Sequence, residues 1–113
     1  MSAQRFEATE TTVNGVRLVA IGGELDISSA ERLEQELAGV EANGRALLVL
    51  DLRGVEFIDS TGIRAVLAAD ERARADGRRL VVVRGAKAVE RVLSLTQLDQ
   101  RLELVDSPDS VDA

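Results

Sequence analysis

The residues that could carry chemistry in this 113-residue chain are hydroxyl and carboxyl groups, because the chain contains neither histidine nor cysteine. Without cysteine there is no thiolate nucleophile and no thiolate zinc site. Without histidine there is no Ser-His-Asp catalysis and no imidazole metal site. The acids are not spaced as a catalytic cluster either. The sequence therefore predicts a protein that is not an enzyme and that binds no metal and no cofactor.

One short stretch combines the reactive groups that remain. Asp59-Ser60-Thr61-Gly62 places an acid, two hydroxyls and a glycine between an extended apolar pattern and a helical one. Asp59 or Ser60 is predicted to cap the helix by accepting hydrogen bonds from the amides of its first turn. Gly62 needs another reason, because a glycine in the first turn costs about 1 kcal/mol of helix propensity. We interpret Gly62 as a position that leaves the neighbouring hydroxyl open to close approach.

The elements before this stretch follow from hydrophobic periodicity. Strands over residues 5–12 and 16–21 flank Val13-Asn14-Gly15 and predict a β-hairpin, because Asn-Gly readily supplies positive φ. Apolar residues at helical spacing then predict a first helix that ends near Asn43-Gly44: Ala30, Leu33, Leu37 and Val40. Ser28 followed by Glu31 is a capping-box pattern at the start of that helix. Residues 46–52 form an apolar run bounded by glycines, which predicts a strand buried on both faces.

The elements after the stretch complete an α/β pattern. A second helix is predicted from Thr61 to about Ala75, with Gly77 ending it. A buried strand over 80–83, a third helix over about 86–93 and a short strand over about 102–105 follow. The order β-β-α-β-α-β-α-β predicts one α/β domain, with helices packed on a mixed, mostly parallel sheet that a hairpin opens. The domain spans residues 1–113, with a core over about 6–106 and a flexible acidic tail over 107–113.

Composition and charge restrict the partners. The chain is 45% hydrophobic but only 2% aromatic, so aliphatic side chains must build the core. Its net charge of -6 argues against attraction to nucleic acid or to anionic lipid. We expect a cytoplasmic protein, because the chain shows neither a signal-peptide pattern nor an apolar run of about 18 residues. Five arginines lie between residues 72 and 84 with Glu71 and Asp76 interleaved, which is typical of a solvated face.

Three blocks of the sequence, in order, resemble one known family. These are GELDISSAERL (23–33), DLRGVEFIDSTGIRAVL (51–67) and AVERVLSLTQLDQRLEL (88–104), and the resemblance covers about residues 6 to 106. They are similar to bacterial anti-sigma factor antagonists of the STAS (sulfate transporter and anti-sigma factor antagonist) domain family. Two positions depart from the family pattern: Gln97 stands where relatives often have glycine, and Ile63 stands where leucine is commoner.

The resemblance implies a regulatory switch. Unphosphorylated antagonists of this family bind an anti-sigma factor that is also a serine/threonine protein kinase, and the sigma factor is released. The kinase then phosphorylates the antagonist and ends the interaction, and a serine phosphatase removes the phosphate. The family's phosphate acceptor falls on Ser60, with Thr61 as a second candidate. Asp26 falls on an acidic position that supports kinase contact, and Asp59 and Gly62 complete the partner-binding motif.

The charges in the motif agree with this role. A phosphate on Ser60 adds about -1.5 to -2 charges beside Asp59, which would oppose partner binding through repulsion and desolvation. The amides and dipole of a helix N-terminus would allow the unbound protein to accommodate the group without refolding.

Two other functions are suggested by parts of the sequence or by the same fold. Asp51 after a buried strand suggests a phosphoaspartyl receiver, but receivers need an acidic pair after their first strand and a lysine after their last, and Lys87 stands at the third helix. The alternative within the same fold is an accessory subunit of a lipid-transport or stress-signalling assembly that works without phosphorylation.

Overall fold

The fold is described by a computed structural model that covers residues 5–13, 15–43 and 46–111. The order of strands and helices is the predicted one, with two short 3-10 helices added near the carboxyl terminus. The elements are β1 (Phe6–Val13), β2 (Val16–Leu25), α1 (Ala30–Glu41), β3 (Leu47–Ile58), α2 (Ser60–Ala75), β4 (Arg79–Val83), α3 (Lys87–Leu95), η1 (Leu98–Gln100), β5 (Glu103–Val105) and η2 (Pro108–Ser110).

The five strands form one mixed sheet in the order β1-β2-β3-β4-β5. β1 and β2 are antiparallel and pair Val13 with Val16, which confirms the predicted hairpin. Gly15 in its turn has φ of 80°, and Asn14 lies outside the described residues. The pairs β2–β3, β3–β4 and β4–β5 are all parallel. The prediction of a mostly parallel sheet opened by a hairpin is therefore confirmed.

All three α-helices contribute to one core, on one face of the sheet. Buried residues of α1, α2 and α3 pack with alternate residues of the central strands, such as Val19, Leu50 and Val82. The residues between them point to the other face, where Leu18, Val49 and Val83 form a second, smaller cluster. β3 is thus buried on both faces along residues 48–51, as its continuous apolar run predicted.

Both β2 and β3 are longer than predicted, because their glycines lie inside the strands. Gly22 pairs with Gly54, and the register between the two strands shifts on either side of Gly22 and Gly23. A Cβ at Gly54 would lie 2.9 Å from the Ile21 carbonyl oxygen. Glycine therefore allows the two backbones to come close at an irregular part of the ladder. The prediction that Gly54 ends the strand was wrong, and β3 continues to Ile58.

The predicted capping box of α1 does not form. Ser29 is the N-cap residue of α1, and its side chain makes no capping hydrogen bond to the helix. The Ser29 hydroxyl instead donates to the Glu24 carbonyl (2.6 Å) and accepts from the Asp26 amide (3.1 Å). Ser28 also bonds to Asp26. Both serines stabilise the β2–α1 loop rather than the first turn of the helix.

The segment after β5 has more structure than the tail we expected. Ser107 accepts a hydrogen bond from the Asp109 amide and caps η2. Val111 packs with the second cluster, over the sheet face that carries Leu18 and Val49. Val111 thus packs on the sheet face that the helices leave open.

Candidate functional site

The site begins with the junction between β3 and α2. Asp59 has extended backbone angles, φ of -117° and ψ of -173°. Its Oδ1 accepts hydrogen bonds from the amides of Thr61 (2.9 Å) and Gly62 (3.1 Å). Two of the unpaired amides at the start of α2 are thereby satisfied. Of the two predicted caps, Asp59 is the N-cap residue, and Ser60 is the first residue of the helix.

The two hydroxyl groups of the motif differ in accessibility. Ser60 is exposed, whereas Thr61 is half-buried. Neither hydroxyl takes part in a hydrogen bond within the part of the chain that the structure describes. The Ser60 hydroxyl therefore projects to solvent from the end of the helix, where another protein can reach it.

Gly62 is explained by the neighbouring strand rather than by an open hydroxyl. A Cβ at Gly62 would lie 2.3 Å from the carbonyl oxygen of Leu25, the last residue of β2. The same carbonyl accepts a hydrogen bond from the Asp59 amide at 3.2 Å. The close approach that we expected at Gly62 is therefore made by the chain's own backbone. It ties the start of α2 to the end of β2.

This contact places the two predicted acidic positions next to each other. Leu25 pairs with Ile58 at the end of the β2–β3 ladder, and the next residues are Asp26 and Asp59. The β2–α1 and β3–α2 loops thus leave the sheet side by side, at the carboxyl edge of its parallel strands. Ligand and partner sites of open α/β sheets generally lie at this edge.

Asp26 is held by its own loop. Its Oδ1 accepts hydrogen bonds from the Ser28 hydroxyl (2.6 Å) and the Ser28 amide (3.0 Å). These bonds, with the Ser28 hydroxyl as the largest contribution, lower the pKa of Asp26 below its ordinary value of 3.8, although burial acts in the opposite direction. Asp26 therefore carries a fixed negative charge at neutral pH, at the edge where Ser60 lies.

Two exposed apolar side chains at this edge were missed by the sequence reasoning. Ile27 follows Asp26 and is 78% exposed, and Phe57 near the end of β3 is 51% exposed. Phe57 could have been noticed, because it is one of only two phenylalanines in the chain. Ile27 gave no local signal, since its exposure depends on the conformation of the β2–α1 loop. Exposed apolar groups beside charged ones are typical of protein–protein interfaces.

The arginines of the segment 72–84 form ion pairs with carboxylates of the same chain. Each of its five arginines has a carboxylate partner: Arg72 with Glu34 and Glu41, Arg74 with Asp70, Arg78 with Asp76, Arg79 with Glu103, and Arg84 with Glu90 and Asp106. Arg53 likewise holds the buried carboxylate of Asp51 through Nε and a terminal nitrogen. The prediction of a solvated, charge-balanced face agrees with this arrangement.

The described residues show neither a group of metal-binding side chains nor a membrane-spanning helix. Across 5–13, 15–43 and 46–111, no three His, Cys, Asp or Glu side chains come together as a group that could hold a metal ion. Nor does this part of the chain contain a helix long and apolar enough to cross a membrane.

Comparison with known proteins agrees with the geometry. The family model described as "STAS domain" matches residues 7–111. The Anti-sigma-F factor antagonist RsfB of Mycobacterium tuberculosis is 36% identical over 91 residues, which cover 80% of this chain and 74% of that protein. The crystal structure of an anti-sigma factor antagonist from Mycobacterium paratuberculosis is 30% identical, with a TM-score of 0.82 over 96% of this chain and 92% of that one.

The fold is also shared with a more distant protein of known phosphorylation state. The Bacillus cell fate determinant SpoIIAA in its phosphorylated form has a TM-score of 0.68 at 16% identity, over 94% of this chain and 96% of that one. At that identity the likeness concerns the fold alone. The family match and the mycobacterial relatives are the stronger findings, and together they place this chain in the STAS domain family, where it resembles the anti-sigma factor antagonists.

Proposed function

We propose that this protein is a cytoplasmic anti-sigma factor antagonist whose binding is switched by phosphorylation of Ser60. In its unphosphorylated form it binds an anti-sigma factor that is also a serine/threonine kinase, and the sigma factor is released. The observation that carries this proposal is the exposed, unbonded Ser60 hydroxyl at the start of α2. The names of the mycobacterial relatives support the regulatory class.

The surface around Ser60 has the composition of a docking site. Ile27 and Phe57 offer apolar area at the same sheet edge, and Asp26 offers a negative charge. In such an interface the apolar centre provides affinity, and the surrounding charges orient the partner. Thr61 is the second candidate for the acceptor, although it is less exposed than Ser60.

The switching step is a phosphoryl transfer carried out by the partner. The Ser60 oxygen forms a bond to the γ-phosphorus of ATP, the bond from that phosphorus to the β-phosphate oxygen breaks, and ADP leaves. The hydroxyl proton passes to a base of the kinase. A serine phosphatase reverses the modification by hydrolysis and so returns the antagonist to its binding form.

The phosphate is expected to end binding through charge rather than refolding. It adds about -1.5 to -2 charges at an edge that already carries Asp26 and Asp59. Within the interface these charges repel acidic groups of the partner and lose their hydration. Asp59 already holds the first-turn amides, so the start of α2 keeps its capping hydrogen bonds when Ser60 is modified.

The test begins with the partner. The wild-type chain is used to capture proteins from its own cell extract, and mass spectrometry identifies them. Incubation with the captured kinase and ATP is expected to add one phosphate, which Ser60→Ala abolishes and Thr61→Ala retains. If Thr61→Ala alone abolishes labelling, the acceptor is Thr61. If a kinase that binds the chain labels neither hydroxyl, the phosphorylation switch is refuted, and recovery of transporter subunits instead favours the accessory-subunit function.

A further inference from the structure

Arg64 lies on α2 four residues after Ser60, and both residues are exposed. Residues four apart on a helix project from the same face, with Cβ atoms about 5–6 Å apart. The long Arg64 side chain can therefore reach a group attached to the Ser60 oxygen. Within the part of the chain that the structure describes, Arg64 makes no ion pair and no hydrogen bond through its side chain.

This isolation is unusual among the arginines of α2. Arg72 bonds to Glu41 and Glu34 on α1, and Arg74 bonds to Asp70 on its own helix. The residues three and four positions from Arg64 are Ser60, Thr61, Leu67 and Ala68. None of them is acidic, and the only polar groups are the two hydroxyls of the site. Phosphorylation of one of those hydroxyls would place an acidic group three or four residues from Arg64 on the same helix face.

The neighbouring carboxylates do not replace that acid. Asp59 points back to the amides of the first turn, where its Oδ1 accepts two hydrogen bonds. Asp26 is held by Ser28. A phosphate on Ser60 would thus enter an acidic edge, with Arg64 as a cation one helical turn away. Guanidinium binds phosphate well, because its planar set of donors matches the phosphate oxygens.

We propose that Arg64 binds the phosphate of phosphorylated Ser60 within the same chain, and that this ion pair is part of the switch. The inference rests on the proposed phosphorylation of Ser60 and adds a residue to it. The pair offsets part of the new negative charge, so the unbound phosphoprotein is stabilised. It also engages the Arg64 guanidinium, which in the unphosphorylated protein is available to an acidic group of the partner.

The test installs phosphoserine at position 60 during translation, so that no kinase is required. The second pKa of a phosphoserine lies near 6 and can be followed by ³¹P NMR during a pH titration. A nearby guanidinium favours the dianion and lowers this pKa. Arg64→Gln is expected to raise it by about 0.5 unit, a roughly threefold change in the proton binding constant. Arg64→Lys should restore part of the effect, and about 1 M salt should reduce the difference.

Arg91→Gln is the matched control. Arg91 is also an exposed helical arginine, on α3, without an ion pair in the described residues, and its removal changes the net charge equally. It should leave the phosphate pKa unchanged. A second readout is the Arg64 Nε–Hε signal, which should shift when Ser60 carries the phosphate.

Two results would overturn the inference: a phosphate pKa that is the same in wild type and Arg64→Gln, or an equal change in Arg91→Gln. An unchanged pKa would show that Arg64 does not act on the phosphate, and an equal change in Arg91→Gln would show that only the long-range field of the protein does. Because the phosphate is installed directly, these results leave the proposed switch standing. A kinase that binds the chain and labels neither Ser60 nor Thr61 overturns the switch itself, whatever the titration shows.

Discussion

At the scale of single residues, the start of α2 separates a structural role from a reactive one. Asp59 binds the amides of Thr61 and Gly62, whereas the Ser60 hydroxyl next to it is exposed and unbonded in the described structure. A hydroxyl that also capped the helix would have to change its capping contacts on modification. Because the neighbouring acid does the capping, Ser60 can be modified at little cost to the fold.

This separation predicts unequal effects of two alanine substitutions. Asp59→Ala should lower the free energy of unfolding by about 1 kcal/mol, within the 0.5–2 kcal/mol typical of a lost N-cap. Ser60→Ala should change it by less than about 0.5 kcal/mol, as expected for an exposed residue without a specific contact. Urea denaturation of both variants measures the difference. If Ser60→Ala cost as much as Asp59→Ala, the hydroxyl would be part of the cap.

Asp26 makes the stability of the folded state depend on pH. Its pKa is lower in the folded chain than its ordinary value of 3.8, chiefly because the Ser28 hydroxyl bonds to the ionised carboxylate. The folded state therefore binds fewer protons, and this stabilisation is present above pH 3.8 and is lost as the pH falls through the folded pKa. Carboxyl ¹³C NMR should show that Ser28→Ala raises the Asp26 pKa. Ser94→Ala, at an exposed serine of α3, should leave it unchanged; a similar shift there would argue against the hydrogen bond as the cause.

At the scale of elements, the position of the site depends on contacts between loops and strand ends. The order of the strands and helices could be predicted from periodicity, because each element carries its own apolar pattern. The lengths of β2 and β3 could not. Gly22 and Gly54 read as breaks along the chain, but they face each other across an irregular ladder, and only that pairing makes them part of the strands.

Two helical glycines provide a test of the contact between α2 and β2. In Gly62→Ala the new Cβ would meet the Leu25 carbonyl at 2.3 Å, and overpacking of this kind costs about 1–3 kcal/mol. In Gly39→Ala on α1 nothing lies within 4 Å of the new Cβ, so the variant should gain up to about 1 kcal/mol of helix propensity. Thermal or urea unfolding of both variants is the measurement. Equal gains in the two variants would show that α2 and β2 do not approach as closely as described.

Gln97 lies in the turn that follows α3, and its backbone conformation depends on that turn. It has φ of 62° and is the only non-glycine residue with positive φ among those described. The family resemblance predicts glycine at this position. The backbone after α3 keeps the left-handed conformation that favours glycine, so the substitution left the turn in place and added strain to it.

At the scale of the whole molecule, the two faces of the sheet are covered unequally. Three helices cover one face, whereas on the other the cluster of Leu18, Val49 and Val83 is joined by Val111 from the segment after β5. This segment begins where we expected a flexible tail. Its role could not be predicted, because a short segment with one proline and one valine carries no periodic pattern.

Removal of that segment should therefore destabilise the domain. A chain that ends at Asp106 should lose about 1–2 kcal/mol of unfolding free energy, since apolar area on Leu18 and Val49 becomes exposed. Ser110→Ala, at an exposed position of the same segment, should change it by less than about 0.5 kcal/mol. Urea denaturation compares the three proteins. A shortened chain as stable as the full one would mean that the segment adds nothing to the second cluster.

The sequence by itself determined the class of the fold, the order of its elements and the motif Asp59-Ser60-Thr61-Gly62, because each depends on residues that are neighbours along the chain. The tertiary structure decided what those residues contact. The carbonyl of Leu25 occupies the space that Gly62 leaves, and the ladder that ends at Leu25 and Ile58 places the Asp26 loop beside the start of α2. Contacts between residues more than thirty positions apart depend on strand register, and the two register shifts near Gly22 and Gly23 come from backbone packing that no local pattern in the sequence encodes.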